Sequence, residues 1–162
     1  MITVDNLLFV LTLVAALGCG LMAGLFFAFS VSVMPALGRL PAAQGMAAMQ
    51  TINAAILNPL FLPTFLGTAA ACLGVIIFSF LRWHEPGAAY LQAGGALYLA
   101  GGLLVTIIFN VPKNEALAAV APAAPDSARL WAGYLASWTA WNHFRAAASL
   151  AATASLTLGL CY

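Results

Sequence analysis

Polar and aromatic side chains recur with a helical period in the last third of the chain. Their spacings of 3, 4, 4, 3 and 4 residues place them on one face of a helix. The first half of this face is aromatic, the second half is polar, and Arg145 lies within an otherwise apolar stretch. An arginine inside a membrane span costs about 2.5–3.5 kcal/mol on insertion scales unless it is paired or hydrated. The stripe consists of Trp131, Tyr134, Trp138, Asn142, Arg145 and Ser149.

Two interpretations of Arg145 compete. In the structural one, the side chain extends to the membrane interface and binds carbonyl groups at a helix end. In the functional one, it faces a pocket and binds an anion or a developing oxyanion. Other polar residues map to the same end of the predicted bundle, which suits a ligand site. Their amides could equally join helices through hydrogen bonds worth about 0.6 kcal/mol each. These residues are Arg39, Asn53, Asn58, Asn110, Asn114, Asn142 and His143.

His143 is the histidine that belongs to this polar end. A lone histidine does not make a typical zinc site, and no cysteine or carboxylate stands at ligand spacing, so we predict no metal site. Haem with one axial histidine stays open, although no attachment motif is present. A general base needs only one such side chain. Because each helical residue turns about 100°, His143 lies about 200° from Arg145. We therefore expect Asn142 and Arg145 to face the pocket and His143 to line its side or to bond a neighbouring helix.

The composition determines the kind of fold that must position these residues. The chain is 64% hydrophobic and only 6% charged, whereas soluble domains carry about 25% charged residues. It therefore needs a surface that faces lipid, and the net charge of +1 gives no indication of a nucleic-acid partner. We predict an all-α integral membrane protein, a single domain over residues 1–162. Its four transmembrane helices are expected at about 7–34, 59–80, 88–110 and 138–160.

The three predicted connections differ in character. The first contains residues 42–57, which are too polar to span and are predicted to form an extra interfacial helix. The second is a compact hairpin over residues 82–87. The third follows Asn110, where Pro112 is expected to end the span because a proline disfavours helical geometry at the preceding residue. A short helical segment is predicted after that proline.

Charge and small residues bear on orientation and assembly. The first and third connections carry Arg39, Lys113 and Arg129, whereas the opposite side carries Arg82. The positive-inside rule then places both termini outside the cytoplasm, and we expect a bacterial inner membrane. A ladder of small residues would let another helix approach closely, either within the bundle or in a homodimer. The ladder comprises Ala16, Gly20, Gly24, Ala28 and Ser32.

Five ordered segments resemble those of the anthrone oxygenase-like family of small four-helix membrane proteins. The resemblance covers nearly the whole chain. The segments are residues 24–30 (GLFFAFS), 33–37 (VMPAL), 49–53 (MQTIN), 110–114 (NVPKN) and 138–145 (WTAWNHFR). The resemblance implies a membrane-embedded oxidoreductase that oxidises an apolar aromatic, anthrone-like substrate with O₂ as co-substrate and without an evident organic cofactor.

The family's chemistry can be assigned to particular residues. Deprotonation of an anthrone gives a delocalised anion that can reduce oxygen directly, so the protein must supply a base, oxyanion donors and a dry aromatic slot. The resemblance implies His143 as the base and Arg145 and Asn142 as further catalytic residues. The same groups would also suit a non-catalytic membrane module that binds a lipid, a quinone or a partner protein. The expected substrate-binding residues are Asn53, Asn110, Asn114, Tyr134, Trp138 and Phe27.

Overall fold

The computed structural model describes residues 4–162, which form helices and turns with no β-strand among them. The helices are long wherever apolar residues run without interruption, and short in the polar connections. They are α1 (Val4–Ala28), α2 (Met34–Gly38), α3 (Ala42–Ala55), α4 (Phe61–Phe80), α5 (Ala88–Leu97), α6 (Val111–Ala118) and α7 (Ser127–Gly159).

Three continuous helices within residues 4–162 are long and apolar enough to cross a membrane. They cover Asp5–Gly38, Phe61–Phe80 and Ala88–Ala118, with mean hydropathies of 2.3, 2.1 and 1.8. The protein is therefore an all-helical membrane protein. The predicted fourth span falls within α7, which has 33 residues but is less apolar than the other three. It packs chiefly against α1 and α5.

Wide π-helical turns allow two of these helices to continue past prolines. The turn Phe29–Val33 joins α1 to α2, so that the helix passes Pro35 and ends at Gly38. The turns Tyr98–Leu104 and Thr106–Asn110 join α5 to α6. Each proline lies in the first turn of the next α-helix, a position where proline is common because its fixed φ suits the helix. The helix thus continues beyond Asn110, the predicted end of the third span, and α6 follows it.

The hairpin between α4 and α5 closes the end of the bundle opposite the polar residues. Gly87 has a φ of 89°, a left-handed conformation that favours glycine over residues with a side chain. Arg82 makes ion pairs with Asp5 of α1 and Glu85 of the hairpin itself. These ion pairs join the start of the first helix to this turn.

The interior consists of two apolar clusters. One joins α1, α4, α5 and α7 around Phe65 and Tyr98. The other joins α2, α3, α6 and α7 around Met46 and Met49, both of which are fully buried. Within the range 42–57, where an interfacial helix is predicted, the structure has α3 at Ala42–Ala55, with its methionines turned into this second cluster. Its position at the membrane interface stays a prediction.

Part of the small-residue ladder of α1 packs inside the protein itself. Ala16 is buried, and a side chain at Gly20 would meet Thr153 of α7 at 3.6 Å. Further along the helix, a side chain at Gly24 would have no neighbouring atom within 4 Å of its Cβ. Gly20 therefore packs against α7 of the same chain. A homodimer through the second half stays a prediction.

Gly95 permits a close approach of α5 to α4. A Cβ atom there would lie 2.7 Å from Ile76 and 2.9 Å from the backbone oxygen of Cys72. We expect Gly95→Ala to lower the free energy of unfolding by about 1–3 kcal/mol, because the helices must separate. A Cβ atom at Gly67 of α4 would have no neighbouring atom within 4 Å. Gly67→Ala should therefore be neutral or stabilising by up to about 1 kcal/mol. Unfolding by SDS titration, followed by circular dichroism, compares the two. Equal effects would contradict the packing described here.

Candidate functional site

The two apolar clusters meet at a cavity of about 110 Å³ that is partly open to the surface. Its walls come from α1, α3, α4, α6, α7 and the π-helical turns, and most are apolar. We call it the Arg145 pocket. Most of the predicted site residues line it, namely Asn53, Asn110, Asn114, Trp138, Asn142 and Arg145.

Arg145 is the charged group of this pocket, and it is only 5% exposed. Its Nη1 donates to Thr106 Oγ1 at 3.0 Å, and its Nη2 donates to Asn142 Oδ1. The guanidinium lies over the ring of Phe26, 4.2 Å from its centroid, and 5.3 Å from that of Trp138. No carboxylate lies among the residues described as lining the pocket. The positive charge is thus held by neutral acceptors and aromatic faces alone.

Asn142 is fully buried and connects Arg145 to the first helix. Its Nδ2 donates to the Phe26 carbonyl at 2.6 Å and to Ser30 Oγ at 2.7 Å. These acceptors lie where α1 passes into its π-helical turn, and such a turn interrupts the regular i→i+4 ladder. The amide therefore satisfies backbone and hydroxyl groups at the turn, and its oxygen orients the guanidinium.

The π-helical turn Thr106–Asn110 supplies the opposite wall. Thr106 donates to the Gly102 carbonyl at 2.7 Å, which leaves its oxygen lone pairs available to accept from Arg145. Asn110 is 1% exposed, and its Nδ2 donates to the Trp138 carbonyl at 3.3 Å. Wide turns of this kind are common at functional sites because they displace side chains from the regular helical positions.

Three of the residues that line the pocket each keep a buried polar atom without a protein partner. They are the donors Arg145 Nε and Trp138 Nε1 and the acceptor Asn110 Oδ1. Buried polar atoms are nearly always hydrogen-bonded, so unpartnered ones beside a cavity indicate a missing ligand or water. An anionic or strongly accepting oxygen would satisfy the donors and offset the charge of Arg145.

A hydrogen-bonded chain at the edge of the pocket joins three helices. Asn53 of α3 donates to the hydroxyl of Tyr134 at 3.5 Å, and that hydroxyl donates to Asn114 Oδ1 of α6 at 2.8 Å. Tyr134 precedes the expected fourth span, and burial raises the pKa of its hydroxyl above the ordinary value. It therefore keeps its proton at neutral pH. Tyr134 thus hydrogen-bonds Asn53 and Asn114, which line the cavity, but does not line it itself.

We expect Tyr134→Phe to lower the free energy of unfolding by about 0.5–1.5 kcal/mol, because both amides lose their partner. Tyr90→Phe is the matched control, since Tyr90 is exposed and its hydroxyl makes no hydrogen bond within residues 4–162. Thermal unfolding of both variants in one detergent measures the difference. If Tyr90→Phe were as destabilising as Tyr134→Phe, the chain of bonds would contribute nothing to stability.

Two predicted residues lie away from the pocket. His143 is exposed and lines a separate groove on the outer side of α7 with Arg39. Phe27 is 60% exposed, whereas Phe26 and Phe29 line the pocket in its place. Both displacements follow from the helical step of about 100° per residue. The expectation that His143 lines the side of the pocket is not met.

Some residues of the site were missed by reasoning from the sequence. Thr106 is the most important of them, because it accepts from Arg145. Its position could have indicated this role, since Thr106, Asn110 and Asn114 are spaced four residues apart and share one helical face. Ser30 and the Phe26 carbonyl carried no comparable signal, because their roles depend on a wide turn that the sequence does not reveal.

Among residues 4–162, no three histidine, cysteine, aspartate or glutamate side chains come together as a metal site would require.

Comparison with known proteins adds one match. Residues 55–155 match the family model described as anthrone oxygenase. This range includes Thr106, Asn110, Trp138, Asn142 and Arg145. No curated protein and no solved structure matches the chain.

Proposed function

This chain belongs to the anthrone oxygenase family, and on that premise we propose that it oxidises an apolar, anthrone-like substrate with O₂ in the Arg145 pocket. The observation that carries the proposal is the buried guanidinium without a carboxylate partner. A charge in such a place requires compensation. The conjugate base of an anthrone provides it, because its negative charge is concentrated on the former carbonyl oxygen.

The reaction begins with loss of a proton from the benzylic carbon opposite the carbonyl group. Arg145 and the indole N–H of Trp138 stabilise the oxyanion that forms, and the aromatic rings of Phe26 and Phe29 cover the planar anion. The described lining of the pocket contains no histidine, aspartate, glutamate or lysine. The proton therefore passes to water at the open side, and the protein contributes by making the bound anthrone more acidic.

Oxygen then reacts with the electron-rich benzylic carbon. One electron passes from the anion to O₂, and the resulting radical and superoxide combine into a carbon–oxygen bond. The peroxide takes up a proton, and loss of water breaks its O–O bond and removes the second benzylic hydrogen as a proton. The product is an anthraquinone, so that one anthrone and one O₂ give one quinone and one H₂O.

The membrane arrangement that suits this function has α7 as a fourth span. Its polar residues Asn142, Arg145 and Ser149 are all buried within the bundle, whereas Phe144 and Leu150 are exposed. Part of the lower hydropathy of α7 thus comes from side chains that would not meet lipid, while His143 of the same helix is exposed. In the proposed four-span arrangement the protein lies in a bacterial inner membrane with both termini outside the cytoplasm. The substrate enters the pocket from the bilayer.

An oxygen electrode tests the proposal with purified protein in a neutral detergent and an anthrone as substrate. We expect oxygen uptake above the rates of protein-free detergent and of heat-denatured protein, with one quinone formed per O₂ consumed. Uptake equal to the protein-free rate would refute the oxygenase assignment. If the anthrone still bound, the pocket would instead belong to a module that binds apolar molecules without turnover.

A further inference from the structure

A second concave surface lies on the outer side of α7, between this helix and α2. It is a groove of about 580 Å³, separate from the Arg145 pocket. Its floor includes the small residues Ala136, Thr139 and Ala140 of α7. We call it the outer groove. The proposed oxidation makes no use of it.

The outer groove carries basic groups without a counter-charge. Arg39 and His143 both line it, both are exposed, and neither side chain makes an ion pair or hydrogen bond within residues 4–162. No acidic residue is among those described as lining it. Guanidinium and imidazole N–H groups are both good donors to phosphate oxygens. The groove is therefore complementary to a monoanionic phosphate.

The apolar part of the groove is long enough to hold part of a lipid chain, which is more than a small soluble anion would need. From Leu135 to His143 it follows α7 for about 12 Å, at the helical rise of about 1.5 Å per residue. Arg39 comes directly after the first apolar helix, where lipid headgroups are expected. Small side chains along α7 leave an open channel for hydrocarbon.

We propose that the outer groove binds one anionic phospholipid, with its phosphodiester against Arg39 and an acyl chain that runs over Ala136 and Ala140 toward His143. Basic pockets between membrane helices commonly hold such lipids. The site is separate from the Arg145 pocket, so the lipid proposal and the oxygenase proposal can fail independently.

Native mass spectrometry of the detergent-purified protein tests this site. The protein is titrated with phosphatidylglycerol and with phosphatidylcholine of the same acyl chains. We expect phosphatidylglycerol to bind wild type about five- to tenfold more tightly, from the attraction of a basic residue near the headgroup. Arg39→Gln combined with His143→Gln should abolish that preference. Arg129→Gln is the control, because Arg129 is an exposed cation of the same end that pairs with Asp126 outside the groove.

A second variant tests the groove without altering its charge. Ala140→Trp should fill the floor and weaken phosphatidylglycerol binding while Arg39 and His143 remain in place. Equal binding of the two lipids to wild type would overturn the proposal, as would an undiminished preference in the double variant. A dimer that Ala140→Trp dissociates, observed in place of a lipid-bound monomer, would identify the groove as a protein interface and would likewise overturn it.

Discussion

Replacing Arg145 with glutamine is expected to lower kcat/KM for oxygen uptake with an anthrone by about 10²–10³-fold. Removal of one oxyanion donor typically costs this much, about 2.7–4 kcal/mol of transition-state stabilisation. The protein should still fold, because the lost hydrogen bonds to Thr106 and Asn142 are offset by removal of a buried charge that has no carboxylate partner. Arg145→Lys keeps the charge but loses the planar guanidinium with its several fixed N–H donors, so it should recover only part of the rate.

His143→Gln is the matched control for this prediction. His143 is two residues away on the same helix but faces the outer groove, so its variant should keep kcat/KM within about twofold of wild type, whereas loss of a general base typically costs 10²–10⁴-fold. Initial rates in the oxygen electrode, corrected for the protein-free reaction, give both values. A large loss with His143→Gln and little loss with Arg145→Gln would reverse the proposed roles of the two residues.

The second large effect concerns Asn142. Asn142→Leu removes the donors to the Phe26 carbonyl and Ser30 Oγ and the acceptor for Arg145. Hydrogen bonds between membrane helices average only about 0.6 kcal/mol, but buried groups that lose their partner cost about 1–3 kcal/mol each. We expect the free energy of unfolding to fall by about 2–4 kcal/mol. Activity should fall as well, because the guanidinium is no longer oriented.

Unfolding of the Asn142→Leu variant in an SDS titration measures the loss of stability. Ser137→Ala is the control on the same helix, since the Ser137 hydroxyl bonds only the Gly133 carbonyl one turn away. This control should change the free energy of unfolding by less than about 0.5 kcal/mol. If Asn142→Leu were as stable as Ser137→Ala and kept its kcat, the amide would neither join the helices nor position Arg145.

The sequence predicted the helices and much of the site because the helices follow from long apolar runs and the site follows from a helical periodicity. Uninterrupted apolar runs indicated α1, α4 and the long helix that begins with α5. The stripe from Trp131 to Ser149 indicated which face of α7 is buried, and Asn142 and Arg145 lie on that face.

The parts that were not predicted depend on local departures from the regular helix. A wide turn before Pro112 carries the third helix beyond Asn110, so a proline that ordinarily ends a helix begins its next segment. The same kind of turn places Thr106 within reach of Arg145. His143 was misplaced for a different reason. An imidazole is chemically suited to act as a base, but its position about 200° around the helix from Arg145 turns it away from the pocket.

The most direct measurement is a spectrophotometric titration of an anthrone bound to the protein without oxygen. Under anaerobic conditions the anthrone anion accumulates instead of reacting, and its absorbance reports the fraction deprotonated at each pH. Wild-type protein should lower the apparent pKa of the anthrone by at least about one pH unit relative to protein-free detergent, which corresponds to about 1.4 kcal/mol of preference for the anion. Arg145→Gln should remove most of that decrease. An unchanged anthrone pKa in the presence of wild-type protein, or an equal decrease with Arg145→Gln, would contradict the role of Arg145 in stabilising the oxyanion.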